Sequence, residues 1–240
     1  MTGRDAWPTD SGMEVGILVT GAPPPDLLPR FGPYDAMFAQ LLGPGFAIRA
    51  YDVQSGELPP RPDAHPAFLV TGSAVGVYEP LPWIGPLLAF LRESKGRSKL
   101  VGICFGHQAM AEALGGRVEK SERGWAVGLQ DYELVARPAW MGADPPPRIA
   151  VPVSHQDRVT IAPPGAEVLA HSAFSPFGML AWGGDALSMQ FHPEFEPAYA
   201  KALIETRRAR LPDSDAALAS LDSPNDRALV GGWIRAFLLA

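Results

Sequence analysis

The sequence contains one cysteine, Cys104, among 240 residues, so no disulfide can close within it. That poverty argues against a disulfide-stapled secreted scaffold and fits a reducing, cytoplasmic setting. Long hydrophobic runs are also missing: no stretch reaches the roughly 18 apolar residues of a membrane span, and the first dozen residues carry acidic side chains without an apolar block. Neither a membrane segment nor a signal peptide is therefore expected. Basic charge is not in excess, since 20 Lys and Arg against 26 Asp and Glu leave a net charge of −6. With no basic stripe, nucleic acid is excluded as the expected partner. Internal repeats are absent, and the glycine pairs at 115–116 and 183–184 lack the spacing of a phosphate-binding loop. No Cys/His cluster offers a metal site, so neither a metal nor an organic cofactor is expected.

What is present fits one enzyme-sized α/β domain. A chain of 240 residues can bury roughly 70% of its unfolded surface in a single core. Residues 14–20, 46–52, 67–71 and 99–103 read as short strands, with helical spacing at 32–42 and 83–92 between them. This alternation predicts a wrapped, mainly parallel sheet with flanking helices. Further strands are expected at 125–135, 148–153, 159–161, 167–172 and 187–191, followed by helices at 198–210, 214–221 and 226–239. Residues 1–12 read as a flexible N-terminus and 13–240 as one domain, with C-terminal helices from about 197. The proline runs at 23–25, 59–60 and 145–147 mark loops rather than linkers.

The lone cysteine sits in Val101-Gly-Ile-Cys-Phe-Gly-His-Gln-Ala109, with a glycine two positions away on each side. A buried strand enters this segment. Ala109, Met110, Ala113 and Leu114 leave it at helical spacing, before Gly115 and Gly116 as a C-cap. The chain must turn sharply between them, and Gly102 and Gly106 remove side chains that would clash around a strained residue at the tip. Cys104 thus has the position of a nucleophile, at a helix start whose free N–H groups favour an anion. A base is also available in Ser188-Met-Gln-Phe-His-Pro-Glu-Phe195. On an extended chain His192 and Glu194, two residues apart, face the same side, so the carboxylate can orient the imidazole toward a thiol. Pro193 suits the terminus of a strand. His107 lies three residues after the thiol, within reach of it, but reads as a residue of the elbow helix; His155, in a separate loop, is expected to shape the site rather than transfer protons, and His65 and His171 to be structural or on the surface.

The segments Gly102-Ile-Cys-Phe-Gly-His-Gln108 and Gln190-Phe-His-Pro-Glu194 resemble the two signatures of the class I (triad) glutamine amidotransferases. Thr71-Gly-Ser-Ala-Val-Gly-Val-Tyr78 is similar to that family's S-G-G-P-x-S-V-Y oxyanion loop, and Ser154-His-Gln-Asp-Arg-Val159 to its S-H-G-D-x-V loop. The likeness covers approximately residues 14–200 and is strongest to stand-alone relatives of the GMP synthase amidotransferase domain. It implies a flavodoxin-like fold and a Cys104–His192–Glu194 triad that cleaves the γ-amide of glutamine, or of another γ-glutamyl small molecule, through a thioester on Cys104. Oxyanion donors would be the main-chain N–H groups of Phe105 and of the Gly72–Ser73 segment, with Gln108, Gln156 and Asp157 around the substrate.

Two departures bear on specificity. Ser73 and Ala74 replace a glycine and a proline of the oxyanion loop, and Gln156 replaces the glycine of S-H-G-D. Serine is acceptable at 73 only if that backbone does not need positive φ. Three functions follow from the resemblance: an amidotransferase feeding ammonia to a partner synthetase, a stand-alone γ-glutamyl hydrolase or peptidase, or a non-catalytic binding subunit. The intact triad pattern disfavours the last.

Overall fold

The computed structural model describes residues 12–211 and 213–240. The flexible N-terminus expected over residues 1–12 lies, apart from Gly12, outside the described residues. Eleven strands are seen in that range: β1 (Met13–Val19), β2 (Phe46–Asp52), β3 (Ala67–Val70), β4 (Lys99–Ile103), β5 (Arg117–Lys120), β6 (Ala126–Leu134), β7 (Arg148–His155), β8 (Asp157–Ile161), β9 (Glu167–His171), β10 (Met179–Trp182) and β11 (Ala186–Met189). The α-helices are α1 (Leu28–Phe31), α2 (Tyr34–Leu42), α3 (Ile84–Ser94), α4 (Phe105–Ala113), α5 (Pro197–Arg207), α6 (Ser214–Ser220) and α7 (Arg227–Leu239). Among the described residues no helix is long and apolar enough to cross a membrane.

Nine strands form one sheet in the order β2-β1-β3-β4-β11-β10-β9-β6-β7. From β2 to β11 every pairing is parallel, and from β11 to β7 every pairing is antiparallel. Apart from the largely exposed edge strand β2, the parallel strands are covered on both faces, as helical crossovers require. Their side chains alternate between two cores: Ile17, Leu69, Val101 and Leu187 face α2 and α7, whereas Leu18, Phe68, Leu100 and Ala186 face α3 and α4. A third cluster joins Tyr34, Phe195, Tyr199 and Leu203 beside the end of β11. Strands β5 and β8 pair separately and place Lys120 opposite Asp157.

The helix expected at 32–42 begins later, at Tyr34. Gly32 has φ 75° and Pro33 is extended, so α1 ends and α2 starts afresh across this pair. The expected strand 187–191 ends at Met189, because the chain turns before His192. Strands β5 and β10 were not expected. The elbow helix closes as its glycines imply: Gly116 N–H donates to Ala111 O at 2.8 Å and Gly115, at φ 93°, donates to Glu112 O at 3.4 Å, the paired bonds of a Schellman cap.

Candidate active site

The C-terminal ends of the parallel strands converge on Cys104, which follows β4 directly and precedes α4. Its φ of 52° and ψ of −103° make it the one non-glycine residue with positive φ among the described residues. A conformation of this kind costs on the order of 1–3 kcal/mol and persists only where the surroundings impose it. Here they do. Cys104 N–H donates to Met189 O at 2.9 Å and Gly106 N–H to Thr71 O at 3.2 Å, tying the elbow to β11 and to the end of β3. A Cβ on Gly102 would lie 2.5 Å from Gly106 O, and one on Gly106 would lie 2.3 Å from Val70 O. Helix and strand therefore approach at a distance that only glycine permits. Both neighbours of the Phe105 amide are committed, leaving that N–H at the helix start without a main-chain acceptor among the described residues.

His192 and Glu194 lie in a turn rather than on an extended strand. Phe195 N–H donates to His192 O at 3.2 Å, and Pro193 occupies the second turn position, where its fixed φ is favourable. The turn still brings the carboxylate to the ring, with His192 Nδ1 and Glu194 Oε1 at 2.7 Å. Both residues are 3% exposed. Phe195 stacks on the imidazole at 3.9 Å between centroids and 4° between planes, and Tyr199 and Tyr34 pack around Phe195. Burial alone would push the imidazole down. The Glu194 carboxylate and then the Cys104 sulfur outweigh it and raise His192 to about 10. The imidazole and thiol share one corner: a Cβ on Gly72 would stand 3.1 Å from His192 Cε1 and 3.8 Å from Cys104 Cβ.

The loop after β3 is knitted to the loop after β1 by threonine hydroxyls. Thr20 N–H donates to Thr71 Oγ1 at 3.0 Å, and Thr20 Oγ1 donates to Thr71 O at 2.9 Å. Neither Ser73 nor Gln156 has positive φ, so the side chains that replace family glycines are carried without backbone strain. Ser73, Cys104, Gln108, Gln156 and Asp157 all line one cavity of about 190 Å³. Gln108 Nε2 donates to Asp157 O and to Gln190 Oε1, both at 3.1 Å, which directs its own carbonyl oxygen away from these partners. Two main-chain carbonyls of the Ser154–Val159 segment are used within the protein: Asp157 O also meets His155 Nδ1 at 2.9 Å, and Gln156 O accepts from Ser121 N–H at 3.1 Å. Burial raises the Asp157 carboxyl, against the hydrogen bond that Tyr78 donates to it at 3.2 Å.

His107 Nδ1 pairs with Ser188 Oγ at 2.8 Å, away from the cavity. Burial depresses His107 and His155 to about 3 each, so both rings are neutral at physiological pH. His65 is buried against Tyr51. Four cavity residues escaped the sequence reading: Glu79, Lys120, Trp125 and Arg207. They come from four separate segments, and only the pairing of β5 with β8 and the docking of α5 bring them to one rim. Among the described residues no group of three His, Cys, Asp or Glu side chains could hold a metal ion.

A family model described as glutamine amidotransferase class-I matches residues 70–208. Gamma-glutamyl peptidase 4 of Arabidopsis thaliana is 30% identical over 173 residues, 69% of this chain and 69% of that protein. The glutamine-hydrolyzing GMP synthase of Thermomicrobium roseum is 39% identical over 127 residues, 52% of this chain and only 23% of the synthase. Among solved structures, a glutamine amidotransferase from Thermotoga maritima superposes with a TM-score of 0.75 at 21% identity, covering 94% of this chain and 96% of the other, which establishes a shared fold. The chain belongs to the class-I glutamine amidotransferase family.

Proposed function

We propose that the protein is a cysteine hydrolase that cleaves a γ-glutamyl amide through a γ-glutamyl thioester on Cys104. The observation that carries this reading is the buried His192–Glu194 pair at 2.7 Å beside a thiol held in a strained elbow. The Cys104 sulfur attacks the γ-carbonyl carbon, and the carbonyl electrons move onto oxygen. The N–H groups of Phe105 and of the Gly72–Ser73 segment receive that oxygen, a task in which one preorganised donor is typically worth about a hundredfold or more in rate. Collapse breaks the C–N bond, and His192 gives its proton to the departing ammonia or amine. Water then loses a proton to His192 and adds to the thioester. The C–S bond breaks, releasing a γ-carboxylate and restoring the thiolate. Glu194 holds the ring by Nδ1, so that Nε2 serves both steps. Gln108 offers its carbonyl oxygen to the substrate, with Gln156 and Asp157 completing that wall.

Likeness to gamma-glutamyl peptidases over two thirds of the chain favours water as the acceptor and a substrate larger than glutamine. The likeness to GMP synthases supports a second reading, in which ammonia passes to a separate synthetase partner. Steady-state release of ammonia or amine from glutamine, γ-glutamyl anilides and γ-glutamyl dipeptides distinguishes them. Efficient turnover of the larger compounds by the isolated chain is expected. Turnover of glutamine alone, with the larger compounds ignored, would reverse the preference between the two readings.

A further inference from the structure

The cavity beside Cys104 has two chemically different ends. At one, Glu79 and Lys120 lie beside Asp157, whose main-chain carbonyl accepts from Gln108: Gly76 N–H donates to Glu79 Oε1 at 2.7 Å, Tyr78 bridges to Asp157, and Lys120 stands opposite Asp157 in the β5–β8 ladder. Such a mixture of carboxylates and one ammonium complements the zwitterionic head of a γ-glutamyl group. Its carboxylates repel any further acid. The other end is built from Arg207, Trp125 and Ser154. The Arg207 guanidinium lies over the Trp125 ring at 5.6 Å from its centroid, and its Nη1 donates to Ser154 Oγ at 3.0 Å. These two contacts fix the plane of the fork at the last residue of α5. Among the described residues no carboxylate pairs with it, whereas the adjacent Arg208 is engaged by Glu205 and Asp215.

A half-buried, stacked and oriented guanidinium with unused donors is suited to a planar carboxylate, and the indole beneath it to an apolar group on the same molecule. Trp125 also lines a second cavity of about 280 Å³, bounded by Leu129, Phe174 and Ala216, so there is room beyond the rim. We propose that Arg207, set by Trp125 and Ser154, binds the carboxylate of the leaving amine, making γ-glutamyl-amino acids and peptides with a free C-terminal carboxylate the preferred substrates. This rests on the γ-glutamyl hydrolase reading and adds the identity of the leaving group. Ammonia carries no such handle, so free glutamine uses only the Gln108 end.

The test compares γ-glutamyl-phenylalanine, its C-terminal amide and glutamine as substrates of the full chain and of Arg207→Met, Arg207→Lys and Ser154→Ala. The wild type is expected to favour the free acid over the amide by about tenfold or more in kcat/KM, the range of one charge-assisted hydrogen bond. Arg207→Met should bring that ratio to within about twofold of unity through a rise in KM for the acid, with Arg207→Lys and Ser154→Ala between. Thermal melting of each variant controls for folding. Equal turnover of acid and amide by the wild type overturns the inference and leaves the hydrolase reading standing. Equal loss on all three substrates in Arg207→Met overturns it too, since the guanidinium would then hold the glutamyl head or the fold. No turnover of any of the three would overturn the hydrolase reading and this inference with it.

Discussion

The parallel and antiparallel halves of the sheet meet at β11, and the site draws on them unequally. Every group assigned to bond breaking stands at the C-terminal edge of the parallel half: the loop after β3, the elbow after β4 and the turn after β11. There the backbone is fixed by buried threonine hydroxyls, by amide bonds between neighbouring loops and by glycines that admit no side chain. The antiparallel half and its small β5–β8 annex supply the opposite wall, with Ser154, Gln156, Asp157, Lys120 and Trp125. That wall is more exposed and carries charge of both signs. In the proposed reaction this contrast would separate chemistry from selection: on the first edge, side chains at Gly102 or Gly106 would strike backbone, whereas the second is lined by exposed and half-buried polar side chains.

The strongest way to break this contrast is to substitute the parallel edge and retain activity. His192→Asn is expected to lower kcat on the order of a thousandfold or more, while Glu194→Gln should leave roughly tenfold or more above that floor. Orienting groups contribute less than the base itself. A larger loss in Glu194→Gln than in His192→Asn would reverse the assigned roles.

The pH profile sharpens the same point. His192 is raised above its ordinary value, so its protonated form stabilises the fold fully below about 6.5, and that contribution is lost as pH rises through about 10. In the proposed reaction, proton delivery to the leaving amine requires the same form. The alkaline limb of kcat/KM should therefore fall near pH 10 in the wild type. In Glu194→Gln it should move to lower pH, because the larger of the two opposing charges that raise His192 has been removed. An unmoved limb would mean that another group governs it.

A smaller effect is expected from Gly72→Ala. Its methyl would meet His192 Cε1 at 3.1 Å, so the ring must shift by a few tenths of an ångström. A loss of about tenfold in kcat with little change in melting temperature is predicted, since geometry rather than folding is disturbed. Gln156→Gly, on the antiparallel wall, should have the smallest effect of the series. It is expected to alter KM for glutamine relative to γ-glutamyl dipeptides by less than about tenfold and to leave kcat nearly constant. A collapse of kcat in this variant would erase the distinction between the two walls.

The same division governs how much could be read from the sequence. In the parallel half, residues 46–52 and 99–103 have the observed strand limits, because glycine turns at Gly43, Gly45 and Gly96 precede them and a 3-10 turn and the elbow end them. The elbow was legible because Gly102, Cys104 and Gly106 encode a local steric requirement. His192 and Glu194 were found together, although a proline-directed turn and not strand alternation joins them. Strand β5 was missed because Arg117, Glu119 and Lys120 leave only Val118 buried, and β10 because four apolar residues beside Gly178 carry no periodic signal. Trp125, Lys120 and Arg207 were illegible as a group, since long-range pairing and helix docking create the rim they share.

The central claim is that Cys104 is the nucleophile toward a γ-glutamyl carbonyl, and intact-protein mass spectrometry after treatment with diazo-oxo-norleucine tests it most directly. A single adduct that maps to Cys104, is absent from Cys104→Ala and appears in step with loss of hydrolysis is the predicted result. An unmodified protein that still hydrolyses a γ-glutamyl amide, or a Cys104→Ala variant retaining a tenth of wild-type activity, would contradict it.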